Sequence, residues 1–382
     1  VDTTLLPALA ALVAAILVLA LTPGTSVLAR RVGAVDEPSD RRIHVRPTPR
    51  LGGIALLLGF LVPVLWFVPG STQTNALLVG ATLIAILGIV DDIWGISPPL
   101  KLAGQIACAA IPVSAGLTID NWTIPLIGVG DLGVAQYPVT IIWFVAIVNM
   151  INFIDGMDGL AAGVVGIGAT TFAILAASLG RPDAAIMAAA LAGACAAFLV
   201  FNFHPAKVFM GDTGSMLLGF VIAGVAVSGV MKSAAAIAVV APLIVLAIPI
   251  MDTSFVVLKR LKHGLPVYSA DRSHFHHRFF TIGWSQRQTV LALYGWCSLM
   301  AGVALVIHFV PYRDPAGGVD PLGVAALSVS ALLALAASLY LIAVLEILKW
   351  RNTPVITLVR GRGARSQEGS DTESDARKVV HR

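Results

Sequence analysis

The stretch Ile141-Ile-Trp-Phe-Val-Ala-Ile-Val-Asn-Met-Ile-Asn-Phe-Ile-Asp-Gly-Met-Asp-Gly159 decides the fold. Its apolar run, Ile141 to Ile154, has the composition of a membrane span, yet it carries two carboxamides, Asn149 and Asn152, and ends in two carboxylates, Asp155 and Asp158. An aspartate at the edge of hydrocarbon costs on the order of 2.5–3.5 kcal/mol, less near the interface, so its presence asks for a reason. On a helix Asn152, Asp155 and Asp158 follow one another at three-residue spacing and share a broad face, and Gly156 and Gly159 let the backbone loosen beside the acids. The plain alternative is a helix that ends at the water surface in Asp-Gly turns.

The rest of the chain extends this pattern. Of its 382 residues 57% are hydrophobic and 12% charged, with a mean hydropathy of +0.88, far more apolar than a soluble core requires. Apolar runs of about 17–25 residues recur throughout, and only helices or closed barrels satisfy their backbone in lipid. The runs are continuous and do not alternate, which disfavours a barrel, so the expected fold class is an all-α polytopic membrane protein. Eleven spans are expected, at roughly 4–24, 51–69, 75–90, 101–117, 137–155, 160–179, 183–201, 214–231, 234–258, 288–310 and 321–348. The first has no basic region before it and reads as a retained span. Cys108, Cys195 and Cys297 lie far apart within apolar runs, without the spacing of a disulfide framework or a zinc site. Residues 1–350 are expected to form the membrane domain and 351–382 a cytoplasmic tail, disordered from about 361, where both charge signs mix with Ser, Gly and Thr.

Basic residues orient the bundle. In this topology 22 of the 25 Lys and Arg fall on one side and only Arg181, Lys232 and Arg313 on the other, which places the N-terminus outside and the C-terminus in the cytoplasm. The same topology brings the polar clusters to the cytoplasmic face, although they took no part in choosing it. Asp91 and Asp92 follow the third span, Asp155 and Asp158 the fifth, Asp212 precedes the eighth, and His274, His276 and His277 lie between the ninth and tenth.

Each cluster suggests a chemistry. The adjacent Asp91 and Asp92 require donors or a cation if buried; one could serve as general base and the other could orient a cation or a lysine. The loop Asn202-Phe-His-Pro-Ala-Lys-Val-Phe-Met-Gly-Asp-Thr-Gly-Ser215 runs into a helix N-terminus, whose free N–H groups suit a phosphate, and Asp212 could ligate magnesium there. A simple cap by Asp212 or Thr213 is the alternative. Phe209 could be core or could stack on a base. The segment Asp271-Arg-Ser-His-Phe-His-His-Arg278 concentrates Arg272, His274, His276, His277 and Arg278, which suits a diphosphate better than zinc. His44, Arg46 and Arg50, in a loop stiffened by Pro47 and Pro49, would be the first charges a lipid phosphate met; the alternative is that they serve only to set topology.

These motifs, in this order and spacing, resemble the polyprenyl-phosphate N-acetylhexosamine-1-phosphate transferases, from Arg42 to about Arg287. The Pro-Thr-Pro-Arg-Leu-Gly-Gly and Ala-Asp-Arg-Ser-His-Phe-His-His-Arg versions resemble the WecA/TagO-like branch that uses UDP-N-acetylglucosamine (UDP-GlcNAc). The phospho-N-acetylmuramoyl-pentapeptide branch ranks second. The resemblance implies attack of a polyprenyl phosphate on the sugar-bearing phosphorus of UDP-GlcNAc, with loss of UMP, at the cytoplasmic face of a bacterial plasma membrane. It implies Mg2+, with Mn2+ as substitute, held by Asp212 and Asn152. Asp91, Asp92 and Asp155 would be catalytic, and Asp158, Asn202 and Phe209 would bind the nucleotide. Arg272, His274, His276, His277 and Arg278 would contact diphosphate and sugar, and His44, Arg46 and Arg50 the lipid phosphate. Membrane lipid and a second copy in a homodimer are expected partners; nucleic acid is not. A secondary transporter is the alternative of another class, since intramembrane acids also mark ion and substrate paths.

Overall fold

The fold is organised around one helix, buried along nearly its whole length. In the computed structural model, which describes residues 3–37, 47–124, 128–231, 246, 250, 284–311, 318 and 320–344, the helices are α1 (Leu6–Val32), α2 (Gly52–Phe67), α3 (Thr72–Trp94), α4 (Pro98–Ser114), α5 (Gln136–Ile154), α6 (Leu160–Ser178), α7 (Pro182–Asn202), α8 (Gly211–Ala226), α9 (Gln286–Phe309) and α10 (Pro321–Val344). Within the stretch Gly211–Met231, 94% of an 18-residue apolar window is buried inside the protein, against 22% of the corresponding window of α1. Helices α2, α3, α5, α6 and α7 surround α8, and α1 lies outside against α7 and α2. The chain divides into two contact units, Val1–Ala337 and Ser338–Arg382, and all the polar clusters of the described residues belong to the first.

Eight of these helices are long and apolar enough to cross a membrane, so the chain is a multi-pass membrane protein. Ten of the eleven expected spans coincide with helices; the ninth, 234–258, lies outside the described residues, as does the boundary expected at 350. Two of the ten are short. Helices α2 and α4 have 16 and 17 residues, about 24–26 Å at 1.5 Å per residue, less than a hydrocarbon core of about 30 Å.

Helix α1 corrects one expected boundary. It passes through Pro23 and ends at Gly33 (φ +79°), not near residue 24. The buried Thr22 and Thr25 donate their hydroxyls to the carbonyls of Val18 and Thr22, at 2.6 and 2.9 Å, so the interrupted backbone keeps donors there. Beyond it β1 (Val35–Asp36) and β2 (Thr48–Pro49) pair antiparallel. Ala29, Ala34 and Leu51 close a small core beneath them, joined by Ile54 and Ile93. Between the fourth and fifth spans β3 (Asn121–Ile124) pairs antiparallel with β4 (Gly128–Asp131).

Close approach at the start of α8 depends on missing side chains. A Cβ on Gly53 of α2 would lie 2.2 Å from the Gly214 nitrogen, and one on Gly88 of α3 would lie 2.5 Å from the Cα and nitrogen of Thr213. Both neighbours are backbone and cannot rotate aside. Gly88→Ala is therefore expected to destabilise the protein by about 1–3 kcal/mol. Gly302→Ala, which meets nothing within 4 Å, should leave stability unchanged or slightly raised. Thermal unfolding of the two variants in detergent tests the difference.

Candidate active site

One end of the bundle gathers the last turn of α3, the first turns of α4, α8 and α9, and the ends of α5 and α7. Here α8 begins without a capping side chain of its own, so the first N–H groups of a buried helix need acceptors from elsewhere. Asp92 supplies them. One carboxylate oxygen accepts from the Asp212 N–H at 2.9 Å, and the other accepts from the Thr213 N–H at 3.0 Å and the Thr213 hydroxyl at 2.7 Å. A negative charge at this position also suits the positive end of the helix dipole.

Asp91, its neighbour, has different partners. It accepts from the Ile96 N–H at 2.7 Å and pairs with the Lys101 ammonium at 2.7 Å. The same ammonium lies 2.8 Å from the Asp212 carboxylate, so Lys101 joins α3 to α8. The other Asp212 oxygen accepts from the Asn152 amide nitrogen, which also donates to the Ser215 hydroxyl at 2.8 Å. Behind this layer Gln105, 1% exposed, forms a reciprocal amide pair with Asn149. That pair satisfies two polar groups that would be costly in the bundle interior.

Asp155 lies one residue beyond α5, and its carboxylate has no hydrogen bond or ion pair among the described residues. Burial, followed by the like charges of Asp212, Asp92 and Asp158, holds its carboxyl well above the usual carboxylate range. Asp158 is engaged: it lies 2.8 Å from the His204 Nδ1 and accepts from the Ala206 N–H at 3.0 Å. Asn202, 2% exposed, accepts from the Gly159 N–H at 3.1 Å and donates to the Val208 carbonyl at 3.0 Å. These bonds lock the turn after α5 to the loop after α7.

The first loop reaches the site through its backbone. The Phe209 N–H donates to the Pro49 carbonyl at 2.8 Å, and the N–H groups of Gly52 and Gly53 donate to the carbonyls of Phe209 and Met210 at 3.0 Å each. The Phe209 side chain is half-buried beside this strap. Arg50 pairs with Asp36 of β1, so in this structure its charge braces the small hairpin. His44, Arg46, Arg272, His274, His276, His277 and Arg278 lie outside the described residues.

The structure thus brings Asp91, Asp92, Asn152, Asp155, Asp158, Asn202 and Asp212 to one end. Sequence reasoning missed Lys101, which counted only as an orienting charge, and also His204, Arg287 and Tyr294. A signal for Lys101 existed: a single cation opens the apolar run that follows the acid pair. The donor set is mostly hard oxygen, with five carboxylates around one lysine and one histidine, an excess of negative charge that suits a divalent cation. Among the described residues no three His, Cys, Asp or Glu form a ready-made cage. Magnesium needs only one or two protein carboxylates when substrate phosphates complete its shell, so the residues fit it.

Comparison with known proteins agrees with this geometry. Residues 74–230 match glycosyl transferase family 4, a segment that contains every acid of the cluster. A Bacillus subtilis (strain 168) protein named "Probable undecaprenyl-phosphate N-acetylglucosaminyl 1-phosphate transferase" is 40% identical over 285 residues, 74% of this chain and 80% of the relative. The decaprenyl-phosphate N-acetylglucosaminephosphotransferase of Mycobacterium leprae (strain TN) is 38% identical over 337 residues, 80% of this chain and 84% of the relative. A phospho-N-acetylmuramoyl-pentapeptide-transferase of Moorella thermoacetica is 33% identical over 321 residues, 77% and 96% of the two chains. With identity of this level over most of each chain, this protein belongs to the polyprenyl-phosphate N-acetylhexosamine-1-phosphate transferase family, within glycosyl transferase family 4.

Proposed function

We propose that the protein transfers N-acetylglucosamine-1-phosphate from UDP-GlcNAc to a polyprenyl phosphate. An oxygen of the lipid phosphate forms a bond to the sugar-bearing phosphorus, the bond to UMP breaks, and polyprenyl-diphosphate-GlcNAc stays in the membrane. The observation that carries this reading is the meeting of acids from three separate segments at one end of the bundle, with Lys101 bridging Asp91 and Asp212 and with Asp155 unpaired among the described residues. The greater identity of the N-acetylglucosamine relatives favours that sugar over the muramoyl-pentapeptide. The basic bias of the loops supports a cytoplasmic position for this end. A transporter reading has less support, because the paired acids gather at one end of the helices and do not line a path at mid-depth.

Roles follow from what each group already binds. Asp92 accepts three hydrogen bonds from the start of α8 and orients Asp212. Asp212, the Asn152 amide oxygen and Asp155 would hold magnesium, which would supply positive charge against the negative charge that develops as UMP leaves. Asp155 is also the carboxylate best placed to accept a proton from the incoming lipid phosphate, because among the described residues no donor occupies it. Lys101 keeps Asp91 and Asp212 close without mutual repulsion. Asp158 would position the nucleotide together with the loop after α7, and the histidine segment would contact diphosphate and sugar.

Incubating purified protein with magnesium, polyprenyl phosphate and UDP-GlcNAc labelled in the sugar is expected to move label into the organic phase. Label that accumulates only inside sealed vesicles would mean transport. Asp155→Asn should lower kcat by about 10²-fold or more. The same variant should raise the thermal midpoint of the ligand-free protein. Because the folded-state pKa of Asp155 is raised, its ionised form costs stability above that pKa, and the cost disappears as pH falls through it or when the charge is removed. Lys101→Met should lower turnover yet half-saturate at a lower magnesium concentration, since an ammonium no longer competes for Asp212. A magnesium titration of both proteins measures this.

A further inference from the structure

We propose that Tyr294 of α9 is a positioning residue for the turn that presents Asp155 and Asp158, an inference that rests on the transferase reading. Gly159 closes that turn at φ +83°, a conformation that favours glycine. Both of its backbone polar groups are fixed by side chains from other helices. Its N–H donates to the Asn202 carboxamide of α7 at 3.1 Å. Its carbonyl accepts the Tyr294 hydroxyl as well as the Gly163 N–H that opens α6. The tyrosine ring is seated on α6 where no side chain intervenes, and a Cβ at Gly163 would lie 2.0 Å from the Tyr294 Cζ.

A second contact from the same helix reaches the other arm of the site. Arg287 donates through Nε to the His204 carbonyl at 3.0 Å, and the His204 ring lies 2.8 Å from Asp158. Arg287 and Tyr294 are seven residues apart, two helical turns, so they share one face of α9. In sequence Arg287 stands nine residues after Arg278, the last residue of the histidine motif. The helix that receives the end of the histidine segment is thereby bonded to both arms that hold Asp158. Tyr294 does not need to touch substrate for this. Its hydroxyl fixes where the Asp155 and Asp158 carboxylates stand relative to α9.

The test uses the full chain in detergent with magnesium, UDP-GlcNAc and polyprenyl phosphate. Tyr294→Phe keeps the ring and removes one hydrogen bond. It is expected to lower kcat by about three- to tenfold, with an unchanged KM for polyprenyl phosphate and an unchanged thermal midpoint. Gly163→Ala, which displaces the ring, should reproduce the loss of kcat, and Leu291→Ala, 56% exposed on the same helix, should behave as wild type. Backbone hydrogen exchange across residues 155–160 should be faster in Tyr294→Phe while exchange across 211–216 stays unchanged. A wild-type kcat in Tyr294→Phe, a loss that tracks a fall in thermal midpoint, or unchanged exchange at 155–160 overturns the proposal. Failure of the transferase reading would instead appear as absence of lipid-linked label in the wild type, and the exchange comparison still decides the role of Tyr294.

Discussion

The carboxylate of Asp92 on the first N–H groups of α8 is the contact on which the site depends. A helix as enclosed as α8 cannot leave its leading donors bare, since an unsatisfied buried N–H costs about 1–3 kcal/mol. The acceptor comes from the end of α3, and the approach is possible only because Gly88 and Gly53 leave room for the Thr213 and Gly214 backbone. Once that clasp is made, the position of Asp212 is fixed. Its carboxylate stands between the Asn152 amide and the Lys101 ammonium, and three helices contribute to one cluster.

Electrostatics then separates residues that look alike in the chain. Among the described residues five aspartates gather near one lysine, and their partners differ. Asp92 accepts from a helix terminus, Asp91 and Asp212 pair with Lys101, and Asp158 is hydrogen-bonded to His204 and a backbone amide. Asp155 has no such partner among the described residues, and it carries the repulsion of Asp212, Asp92 and Asp158. Sites that gather like charges at a cost to folding do so where a cation and a polyanionic substrate will relieve it. A diphosphate passing between a nucleotide and a lipid phosphate is such a substrate.

Much of this was legible in the sequence. Apolar runs of spanning length fixed the helical class and most span positions, and the acids stood out because hydrocarbon makes them expensive. Helix ends were less accurate: Pro23-Gly24 reads as a stop, yet buried threonine hydroxyls let α1 continue for two more turns. The partition among the acids was not legible at all. Asp91 and Asp92 are adjacent in sequence and point to different helices, a distinction that exists only after α3, α4 and α8 have packed. Lys101 and Tyr294 escaped notice for the same reason, because a lone lysine or tyrosine at the start of an apolar run becomes informative only through what it meets across the bundle. The partner of Arg50 was not legible either: its guanidinium pairs with Asp36 of the small hairpin.

The account's central claim is that this end of the bundle binds a divalent cation together with a diphosphate, through Asp212. Electron paramagnetic resonance of Mn2+ bound to the protein in the presence of UDP tests it most directly, because coupling to phosphorus reports metal and diphosphate in one site. The account predicts bound Mn2+ with phosphorus coupling in the wild type and its loss in Asp212→Asn. The same bound signal in both proteins would contradict it.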